Sequence, residues 1–187
     1  MILIKEIKQS KIVKNVFLAL MGTVLLAVSS KIKIPFYPVP MTMQTLVILF
    51  LGITLGWKLG VTTVALYLFE GIIGLPVFSG SPEKGVGIVY FTGPTMGYLI
   101  GFLFTVYFAG SLEFSGNLFK KLLKLIFSVS FIYILGILWL GYFFQWQKSL
   151  FQLGQLGVQP FLLAELFKVL IVLFSLSKIK KLNQYLQ

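Results

Sequence analysis

Residues 41–77 read Met41-Thr-Met-Gln-Thr-Leu-Val-Ile-Leu-Phe-Leu-Gly-Ile-Thr-Leu-Gly-Trp-Lys-Leu-Gly-Val-Thr-Thr-Val-Ala-Leu-Tyr-Leu-Phe-Glu-Gly-Ile-Ile-Gly-Leu-Pro-Val77. Two apolar runs, 41–57 and 59–77, are separated only by Gly56-Trp57-Lys58-Leu59-Gly60. Crossing the hydrocarbon core takes about 20 helical residues, with a range of about 17–25. Each run meets that length, and the break leaves room only for a tight turn. The stretch therefore predicts a helical hairpin made of two membrane spans.

The same ruler laid along the chain predicts four more spans, giving 12–30, 41–57, 59–77, 92–112, 122–144 and 159–177. The expected fold is an all-α integral membrane protein, a compact bundle of six transmembrane helices forming one domain over 1–187. Composition agrees: the chain is 58% hydrophobic and 11% charged, whereas soluble domains average about 45–50% apolar and about 25% charged. A soluble globule of this size could not bury so much apolar surface, and the mean hydropathy is +0.96. At the N-terminus, Lys5, Lys8, Lys11 and Lys14 precede an apolar run from Asn15 to Ser30. That pattern suits either a cleaved signal or a retained first helix. The run exceeds a usual signal core and more spans follow, so a retained helix is expected. Three connections are longer than the rest: 31–40, 78–91 and 145–158.

Lysine placement supplies an orientation. Alternating sides puts Lys5, Lys8, Lys11, Lys14, Lys58, Lys120, Lys121, Lys124, Lys178, Lys180 and Lys181 together, against Lys31, Lys33, Lys84 and Lys148. The positive-inside rule assigns the richer side to the cytoplasm, with both termini there and the three long connections outside. The net charge of +11 thus reads as topology, and no nucleic-acid-binding motif accompanies it. The chain has no His and no Cys, which excludes imidazole bases, thiol nucleophiles and His- or Cys-ligated metals. It also lacks a phosphate-binding P-loop, so it is not itself a P-loop ATPase.

Ionisable groups within a span cost about 2.5–3.5 kcal/mol each on insertion scales and usually face a partner or a cavity. Glu165 and Lys168 lie three residues apart in the last span, on one helix face. They read as a polar recognition site, as a neutralised pair that only tolerates burial, or as a lysine reaching for the interface. Glu70, near the outer end of the third span, suits a site or an interfacial role equally. Segment 78–98 is rich in Gly and Pro and could fold back into a protein-lined cavity. Lys84, Tyr90, Phe91 and Tyr98 would then provide a cation and aromatic walls; otherwise it is an outer loop with interfacial aromatics. Segment 35–45 reads as a stiff outer lid ending at Gln44, whose amide can donate and accept. In the first span Ala19, Thr23 and Ala27 form a row of small residues, suited to internal packing or to docking another membrane subunit.

Three stretches jointly carry a family resemblance: Pro38-Val-Pro-Met-Thr-Met-Gln-Thr45, Gly74-Leu-Pro-Val-Phe-Ser-Gly80 with Gly93-Pro-Thr-Met-Gly-Tyr98, and Pro160-Phe-Leu-Leu-Ala-Glu-Leu-Phe-Lys168. In order and spacing the chain resembles the BioY family, the biotin-binding S components of energy-coupling factor transporters. The resemblance implies a multi-pass protein of the bacterial cell (inner) membrane that is not an enzyme and needs no cofactor. It implies capture of biotin from outside, with a transmembrane T component and two ATP-binding-cassette ATPases as partners. It also implies that the face of Ala19, Thr23 and Ala27 docks the T component, where the family usually has Ala-x-x-x-Ala. The family usually has Asp at the position of Glu165, and a second Gly is common at that of Met96. The expected substrate-binding set is Gln44, Lys84, Tyr90, Phe91, Tyr98, Glu165 and Lys168, with Glu165 and Lys168 toward the ring end of biotin. Other readings are an autonomous transporter or facilitator of a vitamin-like solute, a membrane enzyme, or an assembly subunit.

Overall fold

The computed structural model describes the backbone of residues 2–186 and the side chains of 11–185; the side chains of Lys5 and Lys8 lie outside this range. The chain is almost wholly helical. Its elements are α1 (Ile2–Lys31), β1 (Lys33–Ile34), β2 (Met41–Thr42), α2 (Gln44–Ile72), α3 (Met96–Ser111), α4 (Leu118–Phe143), α5 (Leu150–Gly157) and α6 (Leu162–Leu186). Short 3₁₀ turns at Gly87–Thr92 and Gln159–Phe161 precede α3 and α6. Four helical stretches are long and apolar enough to cross a bilayer: Lys11–Lys31, Gln44–Ile72, Leu118–Phe143 and Leu150–Tyr185. The shorter Met96–Ser111 is also apolar.

α2 is not one rod. Gly56 stands at φ 75° and ψ 168° inside it, a left-handed conformation that glycine adopts without steric cost. Gln44 Nε2 donates to Tyr67 Oη at 2.8 Å, although 23 residues of straight helix would separate them by about 35 Å. The two arms are antiparallel and nearly touch: a Cβ on Gly60 would lie 3.5 Å from the Cα of Gly52. The hairpin expected from residues 41–77 is therefore present, with its bend at Gly56.

The helix limits differ from the expected spans. The arms of α2, 44–55 and 57–72, are about 18 and 24 Å long at 1.5 Å per residue, short of the roughly 30 Å core. Segments 31–43 and 73–95 continue beyond these arms largely as irregular backbone. The expected span 92–112 shortens to α3, because Pro94 and the 3₁₀ turn occupy its beginning. The connection 145–158 holds a helix the spacing did not announce. In α5, Ser149 and Gln152 form a reciprocal capping box at its start.

One end of the bundle collects the bend of α2, the start of α1, the α3–α4 connection and the tail of α6. Lys11, Lys14, Trp57 and Lys58 border one groove there. Asn183 donates to Ile53 O at 2.9 Å, and Lys180 donates to Phe114 O at 2.8 Å. Lys31 and Lys33 lie at the other end, against the 78–81 loop.

The small-residue row of α1 is turned inward. Ala19 and Thr23 are buried and Ala27 is half-buried, and beside them Gly22 sits against Thr63 and Leu51 of α2. A docking surface on Ala19, Thr23 and Ala27 is thus replaced by internal packing, because small side chains let α1 approach α2. The outward face of α1 carries large apolar groups such as Val16, Phe17 and Val24.

α3 packs equally closely. A Cβ on Gly101 would lie 2.6 Å from the Ile132 Cα of α4, and one on Gly97 would lie 2.3 Å from Leu135 O. Gly101→Val is expected to destabilise the protein by about 1–3 kcal/mol through overpacking, measured as a lower unfolding midpoint in detergent. Gly154→Ala, with nothing within 4 Å of the added carbon, serves as the control and should hold or slightly raise the midpoint, because alanine favours the interior of α5.

Candidate functional site

The end of the bundle away from the α2 bend contains a small cavity of about 60 Å³. Its walls come from every part of the chain that the motifs singled out. The lid contributes Val39 to Thr42, α2 contributes Gln44 and Thr45, and the 78–95 segment contributes Ser79, Tyr90 and Thr95. α3 adds Tyr98, Leu99 and Phe102, α4 adds Ile132 and Tyr133, and Phe161, Glu165 and Lys168 complete it.

Glu165 and Lys168 are 6% and 5% exposed and form an ion pair of 3.1 Å. Each is also held by another element. Lys168 Nζ donates to Thr42 O at 2.9 Å, tying α6 to the lid strand β2. Tyr133 Oη donates to Glu165 Oε2 at 2.8 Å, so α4 fixes the carboxylate rotamer. All the charge pairing falls on Oε2. Glu165 Oε1 is buried without a partner, an acceptor left open on a cavity wall. Ser79, another residue of the wall, likewise has a buried Oγ without a partner.

Other polar groups in the wall are already engaged. Gln44 donates to Tyr67 and accepts from Thr42 Oγ1 at 3.2 Å, so it braces the lid against α2 and is not an idle amide. Tyr98 Oη donates to Gly157 O at 2.9 Å, and its ring lies against Gly136 of α4, leaving the cavity an aromatic surface. Tyr90 Oη accepts the Gly80 N–H at 3.2 Å. Accepting this bond, Tyr90 retains its own hydroxyl hydrogen to donate. Its ring stacks on Phe78 at 4.7 Å between centroids. Phe78 in turn lies over Gly71, where any Cβ would fall within 2.0 Å of the ring.

Of the seven residues expected to bind substrate, Gln44, Tyr90, Tyr98, Glu165 and Lys168 meet around this cavity. Lys84 and Phe91 do not line it. Lys84 is exposed and lays its aliphatic stem over Gly80. Phe91 is buried behind Phe78, edge to face at 5.3 Å, and serves the core. Glu70 is half-buried on α2 and is likewise absent from the wall. Sequence reasoning missed Thr42, Ser79, Thr95, Tyr133 and Phe161 as wall residues. Thr42, Ser79, Thr95 and Phe161 all stood inside quoted motifs. Tyr133 has no local signal, since its partner is 32 residues away.

The sequence profile described as BioY family matches residues 5–185. A protein of Pyrococcus horikoshii named "Probable biotin transporter BioY" is 32% identical over 83% of this chain and 89% of its own length. "Biotin transporter BioY" of Thermotoga maritima is 32% identical over 86% of this chain and 92% of its own. The crystal structure of the S-component for biotin from an ECF-type ABC transporter superposes with a TM-score of 0.74 at 28% identity, covering 94% of this chain and 93% of that one. With an all-helical fold built around this cavity and a family profile matched over nearly its whole length, the chain belongs to the BioY family.

Proposed function

We propose that this chain is the substrate-binding membrane subunit of a biotin uptake system. It captures biotin from outside the cell and delivers it together with a T component and two ATP-binding-cassette ATPases. Biotin joins a ureido ring, an apolar thiophane and a carboxylate, and the cavity offers matching chemistry. One observation carries the reading: a buried carboxylate, clamped by Tyr133 and Lys168, keeps Oε1 unpaired on the wall of an otherwise mostly apolar cavity. A neutral ureido N–H is the kind of donor that atom lacks. Tyr90, Tyr98 and Tyr133 supply aromatic surface for the thiophane, and Gln44 acts by holding the lid. Lys84 and Phe91 lie off the wall and are given no ligand contact.

Purified protein should bind labelled biotin. Glu165→Ala and Lys168→Ala should each weaken binding about tenfold or more, the first by removing the charged acceptor and the second by releasing that carboxylate from its clamp. Near-native titrations from both variants would remove this pair from the site.

In the proposed topology six spans cross the membrane, the two arms of α2 counting separately, and both termini are cytoplasmic. The gathering of Lys58, Lys124 and Lys180 at one end supports it through the positive-inside rule. The chain has no cysteine, so single-cysteine variants report directly. An impermeant maleimide applied to intact cells should label Lys84→Cys and spare Lys58→Cys; the reverse pattern would invert the topology. Concentrative uptake should also require co-expressed T component and ATPases, read as biotin accumulation that ATP depletion abolishes.

A further inference from the structure

Two residues that line the cavity each carry a buried polar atom without a partner, and their surroundings differ in charge. Glu165 Oε1 belongs to a pair whose formal charges cancel. Ser79 Oγ sits in a loop that α1 and β1 hold with ammonium groups. Lys33 Nζ donates to the carbonyl of Ser79 itself. Lys31 Nζ donates to Phe78 O and Ser81 O, both at 2.8 Å. Lys84 follows in the same segment, and Glu83 is the single acid beside them. The surroundings of Ser79 are therefore net cationic, and the lysines spend their donors on loop backbone without occupying the cavity.

Ser79 is 5% exposed, and its hydroxyl lacks any partner in a place where most buried polar groups have one. A hydroxyl can donate as well as accept. Donation to an anion gives a charge-assisted bond, stronger than one between neutral groups. We infer that Ser79 is a specificity-determining ligand contact that donates its hydroxyl hydrogen to the carboxylate of the bound molecule. The field of Lys31 and Lys33 favours the anion at that end. This assigns the ligand a direction in the cavity: ureido ring toward Glu165, carboxylate toward Ser79. The inference rests on the biotin reading and refines it.

The test compares biotin with its uncharged methyl ester by titration into wild type, Ser79→Ala and Ser79→Thr. Wild type should bind biotin more tightly than the ester. Ser79→Ala should lose about ten- to a hundredfold for biotin, the span expected for a hydrogen bond to a charged group, while binding of the ester changes little. Ser79→Thr keeps the hydroxyl and should restore most of the preference. Equal losses for both ligands in Ser79→Ala would mark a structural role and overturn the inference. Unchanged biotin binding in that variant would overturn it too, leaving the biotin reading intact. A wild-type protein that binds neither ligand would overturn the biotin reading and this inference with it.

Discussion

Buried backbone polar groups outside regular helix and sheet still need partners, and here two long irregular segments face that demand. Their carbonyls are captured by side chains from the surrounding helices. Ser30 and Tyr67 both donate to Val77 O, at 2.7 and 3.0 Å. Lys31 and Lys33 take Phe78, Ser79 and Ser81. Trp139 reaches Gly93 O at 2.8 Å, and Lys168 reaches Thr42 O at 2.9 Å. These bonds let the chain replace regular helix with loops at one end of the bundle, and the cavity occupies the space those loops enclose.

The site follows from the same constraint. Once the helices have satisfied the loops, few buried polar atoms are left over, and two of them belong to residues that line the cavity. Gln44 and Tyr98 look like ligand donors in isolation, yet their polar atoms hold lid and helices together. The unpaired atoms, Glu165 Oε1 and Ser79 Oγ, are the ones a ligand can satisfy without breaking the scaffold. Lys168 serves both systems, since it pairs with Glu165 and latches β2. One ammonium group thus joins the cavity wall to the lid strand.

Features carried by neighbours in sequence were legible. The Gly56-Trp57-Lys58-Leu59-Gly60 break announced the hairpin because a turn between two apolar runs is a local event. Glu165 and Lys168 were legible because a three-residue spacing places them on one helix face, and burial of a pair at that spacing is rarely idle. The row of Ala19, Thr23 and Ala27 was recognisable as a close-packing surface, but its direction was not, since small residues suit an internal and an external partner equally. Lys84 misled for a related reason. A cation in the informative loop looked like a ligand group, whereas Lys31 and Lys33, read only as topology markers, are the ones that shape the loop.

By itself the amino-acid sequence determined the solvent, the helical architecture, the hairpin and the buried charge pair, because hydropathy and short spacings act through neighbouring residues. Tertiary structure alone decided which polar groups remain free. Tyr133 meets Glu165 across 32 residues and Lys168 meets Thr42 across 126, and no local pattern encodes such pairings. Whether a given hydroxyl, amide or carboxylate holds the scaffold or awaits a ligand depends on these long-range partners, and they exist only once the helices have packed.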